Sequence, residues 1–209
     1  MKKYELTDET MTVDGVTYHR IRACKDFDVQ GYHVKVGDLG GYVESEYNID
    51  QDGNAWVGGL ARIGGHAVIR DNARVCGNSH VRGHAVIGGH AWIRDNAWIG
   101  DNARIGDNAV IGGHAVIRDN VAIGDNAEVR KPSHIIVISP IGSRNDYTTF
   151  CRSKDNDIIV KCGCFNGNIS EFLEKVNKTH GDNKYAAEYR AAAELAKIHI
   201  DLSEEGEIE

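Results

Sequence analysis

The chain has 209 residues and a formal net charge of −7, from 24 basic and 31 acidic side chains. Lys and Arg nowhere cluster into the electrostatic footprint of a nucleic-acid polymer binder, and no run of 18 apolar residues offers a membrane span. The opening Met1-Lys2-Lys3 runs into polar residues, so no secretory leader is expected.

Residues 1–46 read as a β-rich N-terminal cap. Met11 to Tyr18 alternates around Asp14-Gly15, the signature of a hairpin with a tight turn. Gly37 to Glu46 then leads into Asn48 and Ile49, which read as a degenerate first coil of a solenoid. From Gly53 to Arg130 a six-residue period runs without interruption, GNAWVG, GLARIG, GHAVIR and so on for thirteen hexads. The fifth residue of each is Val or Ile, and the third is Ala except at Ser79 and Val121. The second is Asn or His except at Leu60. A period of six does not fit the 3.6 of a helix, and this density of Gly and Asn penalises helix interiors. Ala-x-Ile alternates in, out, in, which is a short strand. The Gly-Asp-Asn type triplet after it is a corner that tolerates left-handed angles. Three hexads therefore close a triangular coil, and coils stacked at about 4.8 Å build a prism of roughly 20 Å over residues 47–136. A solenoid end exposes apolar side chains and an unpaired ladder, so caps are required.

Beyond Pro132 the period ends. Ile135 to Ser139 reads as a strand, and Tyr147 to Arg152 with Asp157 to Lys161 as a hairpin. Asn168 and Glu171 form a capping box that opens a helix to about Thr179, stopped by Gly181. Asp182 or Asn183 caps a second helix with Tyr185, Tyr189, Ala192, Leu195, Ala196 and Ile198 as its apolar stripe. Residues 137–200 thus make a small α+β domain that needs docking on the prism or a neighbouring subunit. Residues 201–209 read as an acidic, solvated, disordered tail. The five cysteines (Cys24, Cys76, Cys151, Cys162, Cys164) are odd in number and scattered, which suits free thiols in a reducing cytoplasm.

The phrase I-G-D-N-A-x-I-G, at Ile99 to Gly106 and again at Ile105 to Gly112, resembles the hexapeptide repeat of left-handed parallel β-helices. That resemblance covers about 80 residues and implies the fold class, mainly β, together with its handedness, since parallel crossovers are otherwise right-handed. Many members are trimeric acyltransferases; others are carbonic anhydrases or scaffolds, so function does not follow from fold. The block Gly37 to Glu46 is similar to the opening segment of hexapeptide-repeat proteins of phage and prophage genomes. It implies a host cytoplasm as the setting.

Outward residues precede each inner aliphatic, and a step of 18 keeps them on one face. The first face carries Trp56, Arg74, Trp92, Val110 and Glu128, the second Arg62, His80, Trp98, Val116 and His134, and the third Val68, Val86, Arg104 and Ala122. Exposed Trp and Val with little charge point to burial in a homotrimer, with Val68, Val86, Trp92, Trp98, Val110 and Val116 as candidate interface residues. His66, His84, His90 and His114 occupy the corner position that Asn fills elsewhere, which favours reading them as corner residues, with a metal site or a catalytic base as the alternative. The His pair five residues apart that the family's carbonic anhydrases use does not occur, and C-x-C at Cys162 is too short for a zinc ribbon. No metal or cofactor is expected. The unbroken hexads leave no loop to cover an acyl donor, although Trp92 to Gly100 is similar to coenzyme-binding coils.

The remaining polar chemistry lies beyond the prism. Gly142-Ser143-Arg144-Asn145 with Thr148 offers a backbone N–H, hydroxyls and a guanidinium, a set suited to phosphate or carboxylate. His180, Asn183 and Lys184 flank a helix start, where the dipole also favours anions. The expectation is a non-catalytic trimer that binds a small anionic, nucleotide-like ligand in its C-terminal domain, in a role such as sequestering a host defence signal. A coenzyme A-dependent acyltransferase and a structural or protein-binding module are the alternatives.

Overall fold

The structure is a computed structural model and describes residues 2–203. Strands β1 (Tyr4–Val13) and β2 (Val16–Ala23) form the expected antiparallel hairpin. Its turn is Asp14 (φ 51°) and Gly15 (φ 79°), both left-handed as a two-residue hairpin of matching twist requires. A second, unforeseen hairpin joins β3 (Phe27–Val29) to β4 (Tyr32–Val34).

Strand β5 (Leu39–Val43) already belongs to the prism. It pairs in parallel with the strand at Arg62, Ile49 bridges to Ile69, and β6 (Trp56–Val57) pairs with the strand at Arg74. These three segments are the degenerate first coil, so the boundary read at residue 46 falls inside it. Four regular coils come next. They consist of β7 (Arg62–Ile63), β8 (Val68–Ile69) and β9 (Arg74–Val75); β10 (His80–Val81), β11 (Val86–Ile87) and β12 (Trp92–Ile93); β13 (Trp98–Ile99), β14 (Arg104–Ile105) and β15 (Val110–Ile111); and β16 (Val116–Ile117), β17 (Ala122–Ile123) and β18 (Glu128–Val129).

Every regular strand pairs in parallel with the one 18 residues away, giving three flat faces. The backbone satisfies its polar groups the same way: Trp92 N–H donates to Ala109 C=O at 2.9 Å, and equivalents repeat down each face. The hexad residues predicted to point inward are buried, Ile63, Ile87, Ile99 and Ile111 among them at 0% exposure. Ser79, one of the two departures from Ala, is buried and gives its hydroxyl to Cys76 C=O at 2.6 Å. At six corners Asp takes a left-handed φ between 49° and 61°, at Asp71, Asp95, Asp101, Asp107, Asp119 and Asp125. Asp71, Asp95, Asp101 and Asp107 also accept the N–H of the corner one coil on; Gly89 N–H, for one, donates to the Asp71 carboxylate at 2.9 Å.

Both ends are closed. At the top, Lys3 is fully buried and its ammonium donates to Asp52 and Gly53 carbonyls, while Tyr4 hydroxyl donates to Glu46 C=O at 2.6 Å. At the bottom lies a four-stranded antiparallel sheet of β19 (Ile135–Ile141), β20 (Asp146–Arg152), β21 (Ile158–Cys162) and β22 (Phe165–Asn168). Period-two alternation splits this sheet between two cores. Ile135, Val137, Cys151 and Ile159 pack on the prism, whereas Ile136, Ile138, Phe150 and Val160 pack under the helices. Helix α1 (Ile169–His180) opens on the predicted Asn168–Glu171 capping box and ends at Gly181. Helix α2 (Lys184–His199) is capped by Asn183.

Three readings need correction. Leu195 and Ile198 are 48% and 83% exposed and are not part of the α2 core face. That face is Ala186, Tyr189, Ala192, Ala193 and Ala196, and at 100° per residue Ile198 lies about 180° from Tyr189. His134 is buried rather than outward, because the chain turns across the prism end at Pro132; its Nδ1 accepts Arg130 N–H at 3.3 Å. Asp201, read as the start of a solvated tail, is tied to Lys131 at 2.8 Å and to Ser133 C=O; residues 204–209 of that tail lie outside the described ones. Among the described residues no helix is long and apolar enough to cross a membrane.

Candidate functional site

The turn after β19 begins at Gly142, where φ is 71° and a Cβ would overlap the Tyr189 ring. Only glycine allows the turn to close against α2, and Gly142 N–H is held by the Glu188 carboxylate at 2.7 Å. This contact delivers Ser143 and Arg144 to the rim of a cavity of about 350 Å³. The β21–β22 turn supplies Cys162, Cys164 and Phe165, and α1 presents Phe172, Lys175, Val176, Thr179 and His180 at helical spacing. Tyr189 of α2 closes the back.

The cavity is amphipathic. Phe165, Phe172 and Tyr189 form a ring-on-ring floor, with Phe172 to Tyr189 centroids 5.5 Å apart and nearly perpendicular. Arg144, Lys175 and His180 supply cationic or proton-bearing groups, Ser143 and Thr179 hydroxyls, and no carboxylate is among the described residues lining it. Arg144 crosses the β21–β22 turn above Gly163, whose missing side chain leaves room for the guanidinium, and its Nη2 lies 3.8 Å from Cys164 Sγ. Burial, and then the neighbouring Cys162, push the Tyr189 phenol above its usual range. Cys162 Sγ receives the Thr148 hydroxyl at 3.3 Å.

Of the eight residues singled out from the sequence, Ser143, Arg144 and His180 line this cavity, and Gly142 and Thr148 support its wall from behind. Asn145 is the left-handed end of the turn. Asn183 uses its carbonyl for capping, accepting Tyr185 and Ala186 N–H groups at 2.9 and 3.1 Å, and Lys184 lies over the Tyr185 ring. Neither is among the cavity-lining residues. Sequence reading missed Lys175 and Tyr189. The signal for Lys175 was present, since the capping box sets the α1 register and places it beside Phe172 and Thr179. Tyr189 was placed in an apolar stripe, and its polar tip was overlooked.

The proposed interface residues divide similarly. Val116 is 50% exposed on the second face, and Val68, Val86 and Trp98 are half-buried. The first face is largely covered by the chain itself. Trp56 is 2% exposed beneath Phe27, Tyr32 stacks on Arg74, and Gln30 reaches Asn72 and His90 carbonyls. Val110, on the same face, is 8% exposed and so is not open to a partner. On the second face the Trp98 indole lies over Gly100 between the guanidiniums of Arg82 and Arg118, 4.6 and 4.2 Å away.

Two of the four corner histidines stack one coil apart: His66 and His84 lie at 4.8 Å and 17°. Among the described residues no group of three or more His, Cys, Asp or Glu is arranged to hold a metal ion.

Residues 84–118 and 96–131 match the family model described as bacterial transferase hexapeptide (six repeats). Comparison with curated proteins returns no significant match. The family match falls within the stacked coils, and together with their parallel faces it supports a hexapeptide-repeat β-helix fold, to which a small α+β domain is added at the C-terminal end.

Proposed function

We propose that the protein is a non-catalytic homotrimer whose C-terminal domain binds a small anionic, nucleotide-like ligand. The observation behind this reading is the convergence of Ser143, Arg144, Lys175 and His180 above an aromatic floor in one cavity. A guanidinium takes phosphate oxygens in a bidentate pair, and the floor offers an apolar surface for a base or ring. The volume falls in the lower range of small-molecule sites. The homotrimer is motivated by Val116, Leu195 and Ile198, apolar side chains left on the surface. The phage-type resemblance of the opening segment suggests sequestration of a signalling nucleotide as the role, in a reducing cytoplasm that suits five unpaired cysteines.

A second reading, coenzyme A-dependent acyl transfer, would use the larger cleft along the third face, about 750 Å³, where Arg104 and Lys161 offer charge to coenzyme phosphates. Among the described residues no histidine lines that cleft to serve as a general base. Mass spectrometry of the small molecules released on denaturing the purified protein separates the readings. A phosphorylated or carboxylated compound is expected from wild type and not from Arg144→Ala. Turnover of acetyl-coenzyme A with an acceptor panel, with nothing released from wild type, would favour the transferase instead. Light scattering should give about three times 22.9 kDa, and a monomer at micromolar concentration would remove the trimer.

A further inference from the structure

We propose that Cys164 and Cys162 make the C-terminal cavity a thiol–disulfide exchange site for a small anionic disulfide. The charge preference rests on the anion-binding reading above; the exchange itself rests on the two sulfurs. Both cysteines border the same cavity, separated only by Gly163. The bend there (φ 58°) shortens the two-peptide span toward the Cα separation of about 4.4–6.8 Å that a disulfide bridges. Cys164 is exposed and meets a solute first, whereas Cys162 is half-buried and anchored by the Thr148 hydroxyl. The Arg144 guanidinium beside Cys164 sits where it would hold a carboxylate or phosphate of the incoming molecule next to the attacking sulfur. The other thiols lack this setting. Cys151 is buried in the prism core, with its thiol pushed up to about 12 by that burial, and Cys76 receives the Trp92 indole N–H at 3.2 Å.

The exchange runs in two steps. Cys164 gives its proton to solvent and its thiolate attacks one sulfur of R–S–S–R; that S–S bond breaks, one RS stays on Cys164, and the other leaves as a thiolate that solvent protonates. Cys162 then loses its proton to solvent, attacks the Cys164 sulfur and expels the second RS⁻. The protein dithiol is oxidised by two electrons and the small disulfide is reduced to two thiols, once per chain.

The test incubates the reduced full-length protein with glutathione disulfide, which is anionic, or cystamine, which is cationic, and tracks intact mass and peptide maps over time. With glutathione disulfide, wild type should lose two hydrogens as the Cys162–Cys164 bond forms. Cys162→Ser should accumulate a single adduct on Cys164, and Cys164→Ser should leave Cys162 unmodified on the same timescale. Arg144→Ala should slow the glutathione disulfide reaction about ten-fold, the scale of one lost charge-assisted contact, without slowing cystamine. Equal wild-type rates with the two disulfides would remove the anion preference and leave the exchange pair standing. Adducts forming on Cys24 as fast as on Cys164, or no internal disulfide in wild type, would overturn the exchange site.

Discussion

The prism and the C-terminal domain solve the same packing problem in opposite ways. In the prism each side chain's neighbours are its own equivalents one coil away, so Ile87 stacks on Ile69 and Ile105 without any specific partner being chosen. In the C-terminal domain the contacts that set the fold occur once each: Gly142 fits Tyr189, Thr148 fits Cys162, Asn168 fits Glu171. Repetition yields a stiff scaffold whose sequence announces its fold. The single-copy domain yields a cavity lined from four separate segments between Ser143 and Tyr189, and with it the candidate chemistry. Capping joins the two, since the sheet of β19 to β22 has one face in each core.

Substitutions can break this contrast at graded strengths. Ile105→Asp places a charge in the dry interior and should give no soluble protein. Ile105→Ala should cost about 2–5 kcal/mol in chemical denaturation, because neighbours locked by their own ladders cannot collapse into the gap. Wild-type stability for either would mean the inward register is wrong. Gly142→Val should cost at least about 2 kcal/mol through backbone strain and overlap with Tyr189, and the loss should be local. Hydrogen exchange is expected to rise in α1 and α2 while the prism stays protected; uniform loss would show the two regions to be one cooperative unit.

Lys3 tests the top cap through pH. Burial lowers its ammonium from the usual range to about 8. The folded state then releases this proton before the unfolded state does, so the penalty is fully present below pH 8 and fades as pH rises toward the unfolded value of 10.5. Wild type should gain stability relative to Lys3→Met between pH 7 and pH 10, and parallel curves would contradict the buried charge. The smallest effect expected is from Asn168→Ala, about 1 kcal/mol for the lost cap of α1, read as a shift in the denaturation midpoint at unchanged slope.

Much of this was legible in the sequence, and unevenly so. The hexads displayed strand, corner and inward residue directly, and Asp14-Gly15 and Asn168–Glu171 announced their turn and cap through local chemistry alone. The features that escaped depended on contacts distant in sequence. Nothing near Trp56 or Val110 says that β3 and β4 fold back over Trp56 or that Val110 ends up covered. The α2 face was misjudged because it packs by small alanines rather than by Leu195 and Ile198. Lys184 and Asn183 were nominated for their place at a helix start, yet a cap residue commits its polarity to the helix itself. Arg144, His180 and Ser143 were reachable as candidates, but their meeting with Lys175, Cys164 and Tyr189 is a product of the tertiary fold.

The central claim is that this meeting forms an anion site. Calorimetric titration of pyrophosphate, the anionic element common to nucleoside diphosphates and triphosphates, into wild type and Arg144→Ala tests it most directly. Saturable binding to wild type is predicted, weakened about ten-fold or more in Arg144→Ala with the melting temperature unchanged, since one charge-assisted hydrogen bond contributes about 1.5–3 kcal/mol. Affinity that is equal in both proteins, or absent from wild type, with a lowered melting temperature in the variant, would contradict the claim and leave Arg144 as a residue of the turn alone.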